Sequence, residues 1–254
     1  MAAQPQPAGA RRESLKELLM QARACQRCPE LAATRKTVVF GSGNADAELM
    51  FVGEAPGASE DEQGIPFVGR AGRLLEQLLE EISLERSGVW ICNVLKCRPP
   101  GNRDPQPVEI ENCQEYLLRQ VELIEPTVIC TLGNFSTKLL RGDPTGITRL
   151  HGQPEVLVLG SRAVRLYPIY HPAAALYTPR MLQTLREDFA RIPELLAAGA
   201  PEQPPPQPPT PFPKAARRLA GSDESVEAQG DRPPEPAPPE PEAEAASTEQ
   251  LGLF

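Results

Sequence analysis

The sequence predicts an α/β fold, a three-layer α/β/α sandwich with a central, mainly parallel sheet, followed by a disordered proline-rich C-terminal tail. Short apolar runs of strand length alternate with longer segments that carry helical leucine spacing, which is typical of a parallel sheet covered by helices. The prolines are uneven, because fourteen of the thirty lie between Pro201 and Pro241. That stretch has too few large apolar residues to offset the entropy of ordering it.

The first half of the chain predicts two helices and two strands. The capping-box sequence Ser14-Leu-Lys-Glu17 predicts a helix that begins at Ser14 and runs to about Ala24. Apolar runs and leucine spacing then predict a strand at 48–52, a glycine-rich acidic loop at 53–64, a helix at 71–84 and a buried strand at 89–94.

The second half predicts a long helix first, because Pro107 favours a helix start and the helical pattern continues over 107–124. The remaining elements are a strand at 127–132, a short helix near 135–140, strands at 156–159 and 165–170 joined through Gly160-Ser161, and a final helix over 179–196. The folded domain therefore spans residues 14–196, and residues 197–249 form a linker.

Charge and targeting signals narrow the class of protein. The chain has 254 residues and a net charge of −8, of which the acidic residues after Pro201 supply most. The folded part is nearly neutral and has room for a local basic face, whereas the tail would repel phosphates. No run approaches ~20 apolar residues, so we expect no membrane span. The N-terminus lacks an apolar signal core, and we expect a monomer in the cytoplasm.

Four cysteines form a set with metal-ligand spacing. Cys25 and Cys28 are separated by two residues, and Cys97 and Cys113 by fifteen. Four thiolates suit a 4Fe–4S cluster or a zinc ion, and the spacing does not decide between them. A redox pair at Cys25 and Cys28 is a further alternative. Cysteines without an export signal indicate a reducing cytosol.

Four motifs fall at the predicted carboxyl ends of the strands, where a parallel sheet places its ligand site. Alone, each motif has an ordinary structural interpretation as a turn, a helix cap or a packed core residue. They are Gly53-Glu-Ala-Pro-Gly57 with Glu60-Asp61, Pro66-Phe-Val-Gly-Arg-Ala-Gly72, Asn93-Val-Leu-Lys-Cys-Arg-Pro-Pro-Gly-Asn-Arg103, and His171-Pro172.

In this order, and with the four cysteines, these motifs resemble the iron–sulfur branch, family 4, of the uracil-DNA glycosylases over residues 14–195. The resemblance implies an enzyme that removes uracil, the product of cytosine deamination, from DNA. It also implies that Cys25, Cys28, Cys97 and Cys113 hold a 4Fe–4S cluster rather than zinc.

The resemblance gives each motif residue a role. Phe67 offers a ring face to the extruded uracil. The Asn93 carboxamide pairs with uracil N3–H and O4 and rejects cytosine. His171 donates a hydrogen bond to uracil O2 as charge develops there. Gly53 and Gly57 let the backbone approach the base and the phosphates. Residues expected to grip phosphates are Arg70, Arg73, Lys96, Arg98 and Arg103.

One departure affects the mechanism, because Ala55 stands where the best-known uracil glycosylases carry an Asp that orients water. Glu54 or Asn102 is therefore expected to position the water. Glu60 is assigned as the barrier to the thymine methyl group. No histidine lies between Cys97 and Cys113, so we expect release of the abasic product rather than a covalent link.

The chain ends in Gln250-Leu-Gly-Leu-Phe254, which looks like the bacterial motif that binds a DNA polymerase sliding clamp. A flexible linker of around 50 residues would span roughly 40 Å and would tether the enzyme to the clamp near the nucleoid. The alternative function is a non-catalytic zinc- or cluster-bearing nucleic-acid binding module, which would bind DNA without releasing uracil.

Overall fold

The structure, a computed structural model, describes residues 7–176, 178–205 and 211. The strands are β1 (Ser42–Gly43), β2 (Leu49–Gly53), β3 (Trp90–Asn93), β4 (Val128–Leu132), β5 (Glu155–Leu159) and β6 (Arg162–Ile169). The helices are α1 (Ala8–Arg23), α2 (Pro29–Thr34), α3 (Ala58–Gln63), α4 (Arg70–Glu81), α5 (Pro107–Ile124), α6 (Asn134–Arg141), α7 (Ile147–Leu150), α8 (Pro172–Ala175), α9 (Pro179–Ala190) and α10 (Ile192–Ala197).

The strands form one sheet in the order β1-β3-β2-β4-β6-β5. The four central strands run parallel, whereas β1 and β5 pair antiparallel at the two edges. The predicted mainly parallel sheet is therefore confirmed. The hairpin that joins β5 to β6 is also present, with Leu159 paired to Arg162.

Both faces of the sheet are covered, which confirms the three-layer sandwich. Met50 and Val52 of β2 pack into a core cluster with residues of α1, α5 and α6. Leu49 and Phe51 of the same strand face the other way, into a cluster with α4, α9 and α10. Successive side chains of a strand point to opposite faces, so a strand between two helical layers carries apolar residues toward both.

Helix boundaries differ from the sequence prediction at both ends of the domain. Helix α1 begins at Ala8, after Pro7, so Ser14 lies inside the helix and does not cap it. Arg11 in the added turns pairs with Asp46, at 3.0 Å between Nη2 and Oδ1, and this long-range contact stabilises a segment with a weak local signal. At the other end the predicted helix is split into α9 and α10, because Pro193 lacks the N–H that would continue the helical ladder.

The chain after α10 begins docked against the sheet. The Gln203 side chain accepts from the Ala163 N–H at 3.1 Å and donates to the Ala163 carbonyl at 3.0 Å. Arg165 donates to the Gly199 carbonyl at 2.9 Å. The first residues of the predicted linker are therefore hydrogen-bonded to β6. The clamp-like motif at 250–254 lies outside the described residues, and within them no helix is long and apolar enough to cross a membrane.

Candidate active site and cysteine centre

Three predicted site residues lie together at the carboxyl ends of the parallel strands. Gly53 ends β2 and Asn93 ends β3, and the two are direct partners in the parallel ladder. His171 follows β6 by two residues. The chain remains paired beyond the strands, since Val94 donates to the Gly53 carbonyl and Leu95 to the Glu54 carbonyl, both at 3.0 Å. These backbone bonds give the edge a defined shape.

Gly53 lies between the Asn93 carboxamide and the Phe67 ring. A Cβ at position 53 would lie 2.3 Å from Asn93 Oδ1 and 2.9 Å from Phe67 Cζ. Such distances are well inside van der Waals contact, so only glycine fits here. Asn93 and Phe67 are 2% and 6% exposed, respectively. In the structure, the groups that closely approach the Gly53 backbone are therefore the side chains of Asn93 and Phe67.

We expect Gly53→Ala to lower the activity of this site by about 100-fold, because the methyl group must displace Asn93 or Phe67 by about 1 Å. The measurement is a single-turnover rate with the substrate proposed below. Gly88→Ala is the matched control, since a Cβ there meets nothing within 4 Å. Equal rates for Gly53→Ala and the wild type would contradict this account of the site.

Phe67 is held in a backbone conformation that side chains rarely adopt, with φ at 54°. The Arg86 guanidinium donates to the Phe67 carbonyl at 3.0 Å and also to the Pro66 carbonyl. Gly72 of α4 packs directly on this peptide, because a Cβ there would lie 1.8 Å from the Phe67 oxygen. Sequence reasoning missed Arg86, since nothing near it in the chain links it to Phe67.

Glu60 in α3 supports the same loop from the other side. Its Oε1 accepts hydrogen bonds from the Val68 N–H at 3.0 Å and the Gly69 N–H at 3.2 Å. The other oxygen lies over Gly57, 2.7 Å from where a Cβ would stand. Glu60 thus connects the two glycine-rich motifs.

His171 has its tautomer set by the backbone. Nδ1 accepts a hydrogen bond from the Ala173 N–H at 3.1 Å, which leaves the proton of a neutral imidazole on Nε2. The ring stacks on Phe67, with centroids 5.5 Å apart and an angle of 29° between planes. Gly133 allows this approach, because a Cβ there would lie 3.1 Å from His171 Cβ. The arrangement presents a directed N–H donor beside the aromatic ring.

The four spaced cysteines line one cavity. They pack against the core cluster that contains α1 and α5, on the face of the sheet opposite the cluster that contains Phe67. Arg35 donates to the Cys97 sulfur at 3.2 Å and to the Cys25 carbonyl at 2.8 Å. The Lys96 N–H donates to the Cys113 sulfur at 3.3 Å. Cys92 and Cys130 are buried in β3 and β4, apart from this set.

Thiol ionisation differs around this cavity. Burial raises the pKa of Cys28 and Cys97, and raises that of Cys113 to about 12. Burial also acts to raise the pKa of Cys25, but hydrogen bonds from Arg27 and Tyr116 outweigh it and lower that pKa. Buried thiolates need a positive partner, and iron or zinc supplies one.

The four thiols that line the cavity are ligands that suit either an iron–sulfur cluster or a zinc ion. In the ranges that the structure describes, no three Cys, His, Asp or Glu side chains are grouped closely enough to hold a metal ion as they stand. A zinc ion needs four sulfurs about 2.3 Å from one point. An iron–sulfur cluster takes one cysteine per iron around its own volume, which suits four thiols that surround a cavity.

The prediction that Lys96 grips phosphates is wrong. Lys96 is 1% exposed, and its Nζ donates to the Asn93 carbonyl and to Gln120 Oε1, both at 2.7 Å. Gln120 in turn donates to the Phe40 carbonyl at 2.9 Å. Lys96 therefore links Cys113 to Asn93. Its backbone N–H donates to the Cys113 sulfur, and its ammonium group donates to the Asn93 carbonyl.

The arginines expected to grip phosphates have different surroundings. Arg70 and Arg73 are exposed at the start of α4. Arg98 donates to Asn102 Oδ1 at 2.7 Å, which places Asn102 within its own loop. Arg103 forms two hydrogen bonds with the buried Glu109, at 2.6 and 2.9 Å, and a third with Glu30. Arg103 thus fastens the loop that follows Cys97 to α5 and α2. Its guanidinium is engaged by these two carboxylates, which argues against a contact with a DNA phosphate.

The salt dependence of DNA binding separates these side chains. We expect Arg70→Ala to reduce the slope of log affinity against log salt by about 0.9 if it removes one phosphate contact. Lys96→Met should leave that slope unchanged and instead lower the melting temperature, because it breaks a buried hydrogen-bond network. A reduced slope for Lys96→Met would show that the ammonium group reaches DNA.

Fold and site together define an α/β protein with a ligand site at the carboxyl ends of its parallel strands. The family model described as the Uracil DNA glycosylase superfamily matches residues 40–195. The type-4 uracil-DNA glycosylase of Archaeoglobus fulgidus is 44% identical over 193 residues, 74% of this chain and 96% of that protein. The type-4 uracil-DNA glycosylase of Sulfurisphaera tokodaii is 46% identical over 188 residues, 72% of this chain and 85% of that protein. The chain therefore belongs to the uracil DNA glycosylase superfamily, in its type-4 branch.

Proposed function

We propose that this protein is a monofunctional uracil-DNA glycosylase that hydrolyses the N-glycosidic bond of uracil in DNA, releasing uracil and leaving an abasic site. The observation that carries the proposal is the close contact of Asn93 and Phe67 at Gly53, with His171 stacked on Phe67, at the carboxyl ends of the strands. The names of the type-4 relatives support the same substrate. A base inside a duplex must leave the stack to reach these side chains.

Base reading rests on the Asn93 carboxamide, which offers one acceptor and two donors. Uracil presents N3–H and O4, so the Asn93 oxygen accepts from N3–H while its NH2 donates to O4. Cytosine presents the opposite pattern, and each mispaired buried group costs about 1–3 kcal/mol. The burial of Asn93 makes this mismatch costly, since water cannot satisfy the unpaired groups.

Bond cleavage rests on leaving-group stabilisation by His171. As the bond between C1′ and N1 breaks, its electron pair leaves on uracil and negative charge grows on O2. The Nε2–H of neutral His171 donates to that oxygen. The Ala173 N–H holds this tautomer in place, so little reorganisation is needed as the charge develops.

Water attack on C1′ completes the hydrolysis, and Glu54 is the residue we assign to position the water. Ala55 beside it packs against the core and carries no acceptor side chain. The Glu54 backbone is fixed by the Leu95 N–H. Asn102, bonded to Arg98, is the second candidate. Near-normal single-turnover excision by Glu54→Ala would remove Glu54 from this role.

The cofactor that we propose is a 4Fe–4S cluster held by Cys25, Cys28, Cys97 and Cys113. Bound there, it supplies a covalent cross-link between the end of α1, the 97–103 loop and α5. Anaerobically purified protein should contain about four iron and four sulfide per chain and absorb at about 400 nm. One zinc per chain and no sulfide would overturn the cluster assignment.

The activity is tested with an oligonucleotide that contains one uracil, followed by alkaline cleavage at abasic sites. The wild type should produce cleavage and free uracil, and Asn93→Ala should lose most of both. Gln77→Ala, an exposed amide on α4, is the matched control. Saturable DNA binding without released uracil would instead support the non-catalytic binding module. A denaturant-stable protein–DNA adduct would contradict simple product release.

We also propose that the protein acts as a monomer in the cytoplasm of a bacterial cell and is tethered to a sliding clamp through Gln250–Phe254. The observation that supports the tether is the sequence Gln250-Leu-Gly-Leu-Phe254, which follows a long proline-rich segment. The full chain should bind a purified clamp, and the same chain without residues 250–254 should not. Equal binding by the two proteins would overturn the tether.

A further inference from the structure

Arg86 donates a hydrogen bond to the backbone carbonyl of the site residue Phe67. Arg86 lies in a short 3-10 turn, Arg86–Gly88, that leads into β3. Its guanidinium donates to the consecutive carbonyls of Pro66 and Phe67, and its Nη1 also pairs with Glu76 Oε1 at 3.1 Å. The side chain of Arg86 is only 24% exposed. A guanidinium therefore joins the peptide of the aromatic residue to helix α4.

The peptide that Arg86 binds needs support. A non-glycine residue at a φ of 54° is strained, and this conformation persists only where its surroundings hold it. Glu60 binds the two N–H groups that follow Phe67, and Gly72 packs on the Phe67 oxygen. Arg86 completes this support from the carbonyl side, where Glu60 does not reach.

The orientation of the Phe67 ring follows from this backbone. With φ fixed, the ring is directed toward Gly53 and stacks on His171. Release of the Pro66 and Phe67 carbonyls would allow the residue to relax toward an ordinary φ, which would turn the ring away from both. Arginine suits this task because its planar fork donates to two carbonyls at once, whereas the lysine ammonium group is a point donor.

We propose that Arg86 is a positioning residue for base capture, holding Phe67 in the strained conformation that places its ring in the site. The inference rests on the proposed uracil-excision function. Arg86 acts through Phe67 and is not expected to contact the base. The defect of an Arg86 variant should therefore appear in capture of the base and should depend on the Phe67 ring being present.

The test is a double-mutant cycle of Arg86→Ala and Phe67→Ala, measured by single-turnover excision across enzyme concentrations. Arg86→Ala should raise the half-saturating concentration about tenfold or more while affinity for uracil-free duplex stays within about twofold. In the Phe67→Ala background the same change should cost less than about threefold, because its target is already gone. The matched control is Arg186→Ala, which removes an exposed ion pair between Arg186 of α9 and Glu81 of α4.

Two further arms keep the test decisive if Arg86→Ala folds poorly. Arg86→Lys should give an intermediate defect in the same cycle, and millimolar guanidinium should restore part of the Arg86→Ala rate where equal NaCl does not. Additive losses in the cycle, or loss of duplex affinity equal to the loss of excision, would overturn the positioning role. Excision by the wild type separates the two hypotheses, because its absence would overturn the proposed function as well.

Discussion

His171→Ala is expected to lower the single-turnover rate of uracil excision by about 100- to 1,000-fold, the effect of removing one directed donor from a developing oxyanion. The donor is directed because the Ala173 N–H occupies Nδ1 and leaves the proton on Nε2. The loss should appear in the maximum rate more than in half-saturation, since the O2 charge exists mainly in the transition state. Single-turnover excision from an oligonucleotide that contains one uracil, followed over a range of enzyme concentrations, measures both quantities.

The chain supplies its own control, because it has two histidines. His151 binds Asp188, at 3.0 Å from Nδ1 to Oδ2, and its ring packs on Tyr170 rather than in the site. His151→Ala should therefore change the excision rate by less than about tenfold, even where it lowers stability. Equal losses for the two variants would indicate that His171 acts by supporting the loop and not by donating to uracil.

Asn93→Asp is expected to reduce uracil excision by about 100-fold or more, although it exchanges only an NH2 group for an oxygen. The Asp side chain would oppose an acceptor to uracil O4 at a position that is 2% exposed, where the mismatch costs about 1–3 kcal/mol per group and the charge is desolvated. The selectivity for uracil over cytosine should fall with the rate. Paired substrates that differ only in the target base measure this selectivity.

Asn44→Asp is the matched control for this variant. Asn44 Oδ1 accepts from the Asp46 N–H at 3.0 Å, and an aspartate oxygen at the same place accepts equally well. Melting temperatures should be recorded for both variants, because a buried charge also lowers stability. An Asn93→Asp protein that folds, excises uracil at the wild-type rate and keeps its selectivity would remove Asn93 as the base-reading residue.

The sequence was sufficient for the elements whose signal is local and periodic. Helix α5 has the predicted bounds, because Pro107 sets its start and apolar residues recur with helical spacing over the whole segment. The apolar runs of β2, β3, β4 and β6 indicated strands buried on both faces, and their carboxyl ends carry the motifs that the parallel ladder then brings together. The spacing of the four cysteines predicted that they act as one set, and the structure brings them to one cavity.

Only the tertiary structure decided the roles of residues whose partners lie far along the chain. Lys96 reads as a basic residue in a DNA-facing loop, yet it is buried with the Asn93 carbonyl and Gln120. Arg86 has no local signal, yet it holds Phe67, nineteen positions away. The extra turns of α1 depend on Asp46 in the same way. Periodicity reports which face of an element is buried, but the hydrogen-bond partner of a buried polar group is set by the packing of elements that are distant in sequence.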